Sequence, residues 1–318
     1  MPTNPMRGDV HVNSPLSNIS VAYMNRATHM VAPAAFPIVP VSKQSDRYFV
    51  YNQGDWMRSE AQVRAPSTES AGSGWKLDNT PNYFADVQAI HKDVDDGVRS
   101  NADAAIDMDR DATEYVSQQL MLKRELDWAA AYFATGIWDN DVTPGTLWNA
   151  AGGLPVDDVD VGKDTVLKAT GMVPNVLVVG IDVHTGLKNN ADVKDRIKYT
   201  QRATVTEEIL ASLLGVDKYL VARGINTTSA QGATDVFAPI LGAKDALLCY
   251  AEPNPGLLKP SAGYTFAWTG YVGAGPQGQR ISRFRMDELR SDRIEGEMAY
   301  DMKLVASSLG YFFDGAVS

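Results

Sequence analysis

A chain of 318 residues exceeds one compact domain of about 100 to 200 residues, so two lobes or one elaborated domain are expected. With 44% hydrophobic and 21% charged residues the composition is globular, which excludes a disordered or fibrous chain, and no apolar run approaches the roughly 18 residues of a membrane span. A net charge of −10 argues against gripping nucleic acid through a basic surface, although a container for DNA gains from repelling phosphates. Cys249 is the single cysteine, so no intramolecular disulfide can form. The start, Met1-Pro2-Thr3-Asn4-Pro5, lacks the basic-then-apolar order of a secretory signal, so a protein made and used in a cytoplasm is expected.

Residues 1–40 scatter Pro2, Pro5, Pro15, Pro33, Pro37 and Pro40 among apolar groups such as Tyr23, Met30, Phe36 and Ile38. Proline removes backbone donors and blocks helix, so the stretch reads as an extended arm whose apolar residues need a surface to lie on. A strand-like run, Tyr48 to Tyr51, and a second apolar run, Tyr83 to Ile90, enclose some thirty residues rich in Gly, Ser, Pro and charge. A structureless loop of that length is improbable in a compact domain, and Trp56 and Trp75 within it favour a long two-stranded finger that docks on something.

From about Asp103 to Phe133 the period becomes helical. Ala105, Met108, Ala112, Tyr115, Leu122, Leu126, Ala129 and Phe133 fall on one stripe, giving a spine helix on the order of 45 Å long. Residues 170–252 read as an α/β unit, with Val176-Leu177-Val178-Val179 as a buried strand. In it Thr204 and Glu207 form a capping box ahead of Ile209 and Leu210, and Gly215 closes that helix. The last segment returns to period two: Ile294, Gly296, Met298, Tyr300, Met302 and Leu304 share one face of a long strand. Tyr264–Val272 and Arg280–Met286 are expected to pair around the Gly273–Gly278 turn.

Sites for chemistry are scarce. Gly273-Ala274-Gly275-Pro276-Gln277-Gly278 has the glycine spacing of a dinucleotide loop, yet a β-like run follows where a helix is required, so a turn is expected. Asp107, Asp109 and Asp111 mimic a calcium loop but Ala112 and Gln118 stand where Gly and Glu are needed; the carboxylates fit a helix start instead. His11, His29, His91 and His184 show no metal spacing, and Cys249 sits in an apolar strand. Arg280, Arg283, Arg285, Arg290 and Arg293 interleave with Asp287, Glu288, Asp292, Glu295 and Glu297, a pattern suited either to interface ion pairs or to a solvated strand face.

The order of parts, with Arg64-Ala65-Pro66-Ser67-Thr68-Glu69-Ser70, Pro174-Asn175-Val176-Leu177-Val178, Lys194 to Tyr199, Glu207-Glu208-Ile209-Leu210-Ala211 and Asp292-Arg293-Ile294-Glu295-Gly296, resembles the major capsid proteins of tailed bacteriophages. Encapsulins and herpesvirus capsid floors share that Hong Kong 97 type fold. The resemblance implies an α+β chain with an N-terminal arm (1–40), an extended β-hairpin loop (41–95), a peripheral domain (96–165 and 253–318) holding the spine helix at about 103–135 and antiparallel strands, and an α/β axial domain (166–252). It implies a self-assembling icosahedral shell around double-stranded DNA in a virion, assembled in the host bacterial cytoplasm, with neither enzyme activity nor cofactor. The implied partners are copies of the chain as pentamers and hexamers, a portal, a separate scaffolding protein and, as a further candidate, a decoration protein. DNA would be enclosed without sequence-specific binding.

Some relatives carry a fused scaffolding segment or crosslink through Lys and Asn; Met1 opens directly on the arm and nothing local to Lys43 or Lys76 marks the carboxylate that such chemistry needs, so a separate scaffold and a noncovalent shell are expected. The expected inter-subunit contacts are Phe36, Ile38, Trp56, Arg58, Arg64, Trp75, Lys76, Arg280, Arg283, Arg285, Arg290 and Arg293. Two alternatives remain at this stage: an encapsulin-like nanocompartment shell, and a hydrolytic or nucleotide-binding enzyme built on the 170–252 lobe.

Overall fold

The computed structural model describes residues 25–102, 107–198, 205–256, 258–273 and 278–318. Residues 1–24, Ala105, Thr204, Tyr199 and most of the Gly273–Gly278 turn, all used in the sequence reading, lie outside the described residues.

In chain order a short helix α1 (Ala32–Ala35) leads into β1 (Ile38–Val41). A projection follows, built from β2 (Ser45–Arg47), β3 (Val50–Tyr51), α2 (Gln53–Trp56), β4 (Leu77–Asp78) and β5 (Asn82–Phe84). Then come β6 (Asp86–Asp95), α3 (Asp96–Asn101) and the spine α4 (Met108–Tyr132). Asp107 caps the spine by accepting the Arg110 N–H, as its short carboxylate allows at a helix start.

The second part runs through β7 (Asp141–Val142), α5 (Pro155–Thr170), β8 (Val176–Val179), α6 (Ile181–Asn189), α7 (Ala191–Ile197), α8 (Glu207–Leu213) and β9 (Lys218–Val221). It continues with β10 (Ile225–Thr227), β11 (Phe237–Pro239), β12 (Ala246–Cys249), β13 (Gly263–Trp268), α9 (Thr269–Val272), β14 (Gln279–Met286), β15 (Ser291–Leu304) and β16 (Gly310–Phe313).

Two five-stranded sheets organise these elements. In the first, β15 is the axis: β6 pairs with it antiparallel from Ser291 to Tyr300, β14 from Ser291 to Met298 and β13 from Tyr300 to Leu304. A strand has two edges, so β13 and β14 run end to end along the edge opposite β6. The strand is there and Ile294, Met298, Tyr300 and Met302 are buried on it, but the expected wet face is not wet throughout: Glu297 and Ala299 are buried as well, where the sheet is covered on both sides. The spine crosses this sheet at Gly296, where a Cβ would lie 2.3 Å from Val116 Cγ1; only glycine admits the helix that closely.

The second sheet has the order β7-β16-β12-β8-β9. Its central strands β8 and β12 are buried along their full length, as continuous apolar runs require when both faces are covered. One apolar core runs from α1 and the spine through this sheet to the C-terminal residues Ala316 and Val317.

Several expectations need correction. The Tyr264–Val272 and Arg280–Met286 runs do not pair with each other; β15, long enough for both, takes each in turn. The boundary drawn at 253 is crossed, because β16 pairs with β12 in the second sheet. The cap of α8 is Thr206, two residues later than the expected box, accepting the Ile209 N–H. The spine buries Ala112, Val116, Leu120, Arg124, Glu125 and Trp128, whereas Tyr115 is exposed: the buried stripe contains two charged side chains, which an apolar period cannot register.

Candidate inter-subunit surface

The projection is a two-stranded finger laid down in two steps, with Ser45–Arg47 against Asn82–Phe84 and Val50–Tyr51 against Leu77–Asp78. Its turn is built by side chains. Asn52 caps α2 by accepting the Asp55 N–H at 3.1 Å, and the Asp55 carboxylate accepts the Lys76 N–H at 2.9 Å. This clamp sets Trp56 against Tyr51, with ring centroids 5.5 Å apart, and against Trp75 at 6.1 Å. The three rings form a ridge that the subunit itself does not cover, since Trp56 is 54% and Trp75 64% exposed. Met57 and Leu77, close to Trp56 and Trp75 in the chain, are exposed too, an apolar grouping that a soluble monomer rarely shows to water. The Gln53 amide donates to the Ala169 carbonyl at 2.6 Å and the Met57 side chain lies beside Gly171, leaning the finger tip on the end of α5.

Arg58, Arg64 and Lys76 are exposed along the same finger. Arg58 faces Glu60 at 3.6 Å and Arg64 donates to the Thr68 carbonyl at 2.5 Å. These are weak, solvated contacts.

The arginines of the first sheet behave differently. Arg285 grips Asp96 through two bonds of 2.7 and 2.6 Å, and Arg293 grips Asp93 through two of 2.7 and 2.9 Å. Arg280 binds Glu297 and lies 4.6 Å over the Tyr271 ring. Arg283 reaches Asp292 and Asp109, while Arg99 reaches Asp109 at 2.7 Å and Asp292 at 2.9 Å. Asp292, held by Arg283 and then Arg99, is pulled down to about 2. Asp93 and Asp96 are lowered by Arg293 and Arg285 in the same way. Four of the five arginines thus complete ion pairs inside the subunit, tying α3 and the spine's first turn to the sheet. Arg290 is exposed in the tight turn between β14 and β15, at φ +47°.

Phe36 is a correction. It is fully buried in its own subunit, edge-on to Trp128 at 5.9 Å and Trp138 at 6.5 Å and tilted on Tyr132 at 4.7 Å, so no neighbour can touch it. Gly263 faces the ring so closely that a Cβ there would meet it at 2.3 Å. Ile38 is half-buried in β1, paired in parallel with Thr265. Sequence reasoning saw an apolar residue just before a proline; it could not see the aromatic box, whose members come from residues about a hundred positions away.

An exposed hairpin was missed altogether. β10 pairs with β11, and Ile225, Val236 and Phe237 on it are each at least 50% exposed. The available signal was an apolar group at each end of a Thr, Ser and Gly loop.

The groups that could support chemistry are buried. Burial pushes the Cys249 thiol up to about 12, which removes its nucleophilic form at neutral pH. His184 Nδ1 lies 3.0 Å from the Tyr219 hydroxyl, and burial holds the imidazole below and the phenol above their usual ranges. Among the described residues no group of three or more His, Cys, Asp or Glu could hold a metal ion, and no helix is long and apolar enough to cross a membrane.

No family model matches the chain. It is 21% identical, across 96% of both chains, to the major capsid protein of Burkholderia phage BcepMu. Among solved structures it resembles a phage-related protein of Bordetella bronchiseptica RB50, with TM-score 0.70, 19% identity and 92% and 93% of the two chains covered. It also resembles the capsid of a native GTA particle, with TM-score 0.59, 13% identity and 97% of each chain covered. The fold is the Hong Kong 97 type capsid fold, α+β in class.

Proposed function

We infer that this chain is a major capsid protein, the shell-forming subunit of a tailed bacteriophage virion. The observation that carries the reading is the likeness, over 96% of both chains, to a phage major capsid protein. The exposed ridge of Tyr51, Trp56 and Trp75 supports it physically, because aromatic groups grouped on a projection are the kind of anchor that dominates association energy.

In this reading each finger lies over a neighbouring copy and buries the Trp56–Trp75 ridge, and subunits close into pentamers and hexamers. Interfaces of this obligate kind bury more than about 2,000 Å². Ordering the finger costs backbone entropy of about 1–2 kcal/mol per residue, recovered when the neighbour supplies apolar surface. The net charge of −10 suits a wall that encloses DNA without gripping it. A portal and a separate scaffolding protein complete the assembly, a decoration protein is a further candidate partner, and the shell is held without covalent crosslinks. Ile38, Arg58, Arg64, Lys76 and Arg290 remain contact residues in the proposal. Arg280, Arg283, Arg285 and Arg293 act first as internal ties, which keeps the first sheet rigid where it meets other copies.

The test is negative-stain microscopy of the full-length chain after expression, combined with analysis of particle contents. Closed shells of uniform size are expected. Shells filled with one enzyme would favour a nanocompartment, and a dispersed, active monomer would overturn the shell reading.

A further inference from the structure

We propose that residues 25–41 are an intramolecular strap that couples the two lobes of one subunit, with Glu125 as its latch. The strap begins on the β10–β11 hairpin. The Asn25 side chain donates to the Ile225 carbonyl at 2.7 Å and accepts the Ile225 N–H at 3.1 Å, the paired bonds that a neighbouring strand would make. The backbone of Asn25 is held from the other side by the spine: the Gln118 amide, oriented so that both its atoms are satisfied, donates to the Asn25 carbonyl at 2.9 Å and accepts its N–H at 3.1 Å.

The latch comes next. Both Glu125 carboxylate oxygens accept backbone N–H groups of the strap, Val31 at 2.8 Å and Ala32 at 3.0 Å. Met30, Val31, Ala32, Ala35 and Phe36 are buried over the spine, and the chain passes from Gln118 to Trp138 alongside it. The strap ends in the first sheet, where β1 pairs with β13, Trp268 Nε1 donates to the Ser42 carbonyl at 3.0 Å and Thr269 donates to the Val41 carbonyl at 3.2 Å.

A carboxylate this deeply buried on a helix is costly unless its oxygens are bonded, and the strap's amides supply those bonds. The amides in turn stand at the start of α1, where no residue of their own segment accepts them. Each group is expensive without the other, so the strap is seated as a unit. Its two ends grip opposite lobes, and loosening the middle must loosen both. Glu125 is a positioning residue: it acts on the lobes through the strap. The claim concerns one subunit and is independent of whether shells form.

Amide hydrogen exchange on the full-length chain tests it, comparing the native chain with Glu125→Ala, Glu125→Gln and Asn25→Ala. Glu125→Ala should speed exchange roughly ten- to hundredfold at Val31 and Ala32, and also at the remote Ile225 and Thr265, while Val178 and Leu247 stay protected. Glu125→Gln, which keeps an acceptor oxygen, should restore much of that protection. Asn25→Ala removes a half-buried group at one end and should speed Val31 and Ala32 several-fold. Acceleration in Glu125→Ala confined to Val31 and Ala32 would reduce Glu125 to a local cap and overturn the strap. If Glu125→Ala loosens the whole chain, Asn25→Ala decides: unchanged Val31 and Ala32 amides in that variant overturn the proposal, and faster ones uphold it.

Discussion

The strap and the finger start from the same sequence signal, aromatic residues in a stretch too broken by proline or glycine to form its own core, and end in opposite places. Phe36 is entirely buried while Trp56 and Trp75 stay more than half exposed. The difference lies in what each segment meets. The strap finds a pre-shaped seat: the Trp128, Tyr132 and Trp138 box, the missing side chain at Gly263, and a carboxylate waiting for its amides. The finger's base is anchored, with Tyr48 and Tyr83 stacked on Phe266 and the Phe84 N–H donating to Asp301, but its Tyr51, Trp56 and Trp75 ridge meets no such seat and stays exposed. A buried aromatic therefore stabilises the subunit, and an exposed one stabilises whatever covers it.

The largest effect separates the two regions most sharply. Phe36→Ala empties the aromatic box and should cost about 3–5 kcal/mol of subunit stability in denaturant unfolding. A loss under about 1 kcal/mol would show that the seat adds little. This also bears on arm truncation: removing residues 1–35 strips Val31, Ala32 and Ala35 from the core and so tests subunit folding as much as assembly.

Trp56→Ala should do the reverse. Subunit stability should stay within about 0.5 kcal/mol of native, while each inter-subunit contact weakens by about 2 kcal/mol or more, read as a raised critical concentration for assembly by light scattering. Equal loss of folding and assembly would erase the distinction between finger and strap.

A third region, the arginine ladder, adds a smaller and pH-dependent term. The Asp292 carboxyl sits near 2 in the folded chain against an ordinary 3.8, so unfolded chains take up a proton that folded ones refuse. Its contribution is fully present above about pH 5 and is lost as pH falls toward 2. Thermal unfolding of Asp292→Asn across that window should therefore show a flatter acid limb than the native chain; an unchanged slope would count against the ladder. The smallest effect belongs to Arg58→Ala, whose solvated pair with Glu60 should be worth less than about 0.5 kcal/mol to folding.

Elements whose signal is local were readable from the sequence. β15 declared itself by its apolar even positions and β8 by a continuous apolar run, while the spine's body was legible but its start, read at about Asp103, lies at Met108 behind the Asp107 cap. What stayed hidden depends on partners far along the chain. Glu125 looks like any solvent-facing charge on a helix until Val31 and Ala32 arrive from 94 and 93 residues away. The same holds for β16, whose place beside β12 is set by a long-range pairing. The surface residues divide likewise: exposure of Trp56 and Trp75 followed from the broken, polar sequence around them, but the internal partners of Arg280, Arg283, Arg285 and Arg293 required the strand register.

The central claim is that the finger's aromatic ridge is completed by another copy of the chain. Oxidative footprinting of Trp56 and Trp75 in dispersed subunits and in assembled particles addresses it directly, with buried Trp128 as the internal reference. Strong protection of both residues on assembly, with Trp128 unmodified in either state, is predicted; equal modification of Trp56 and Trp75 in the two states would contradict the account.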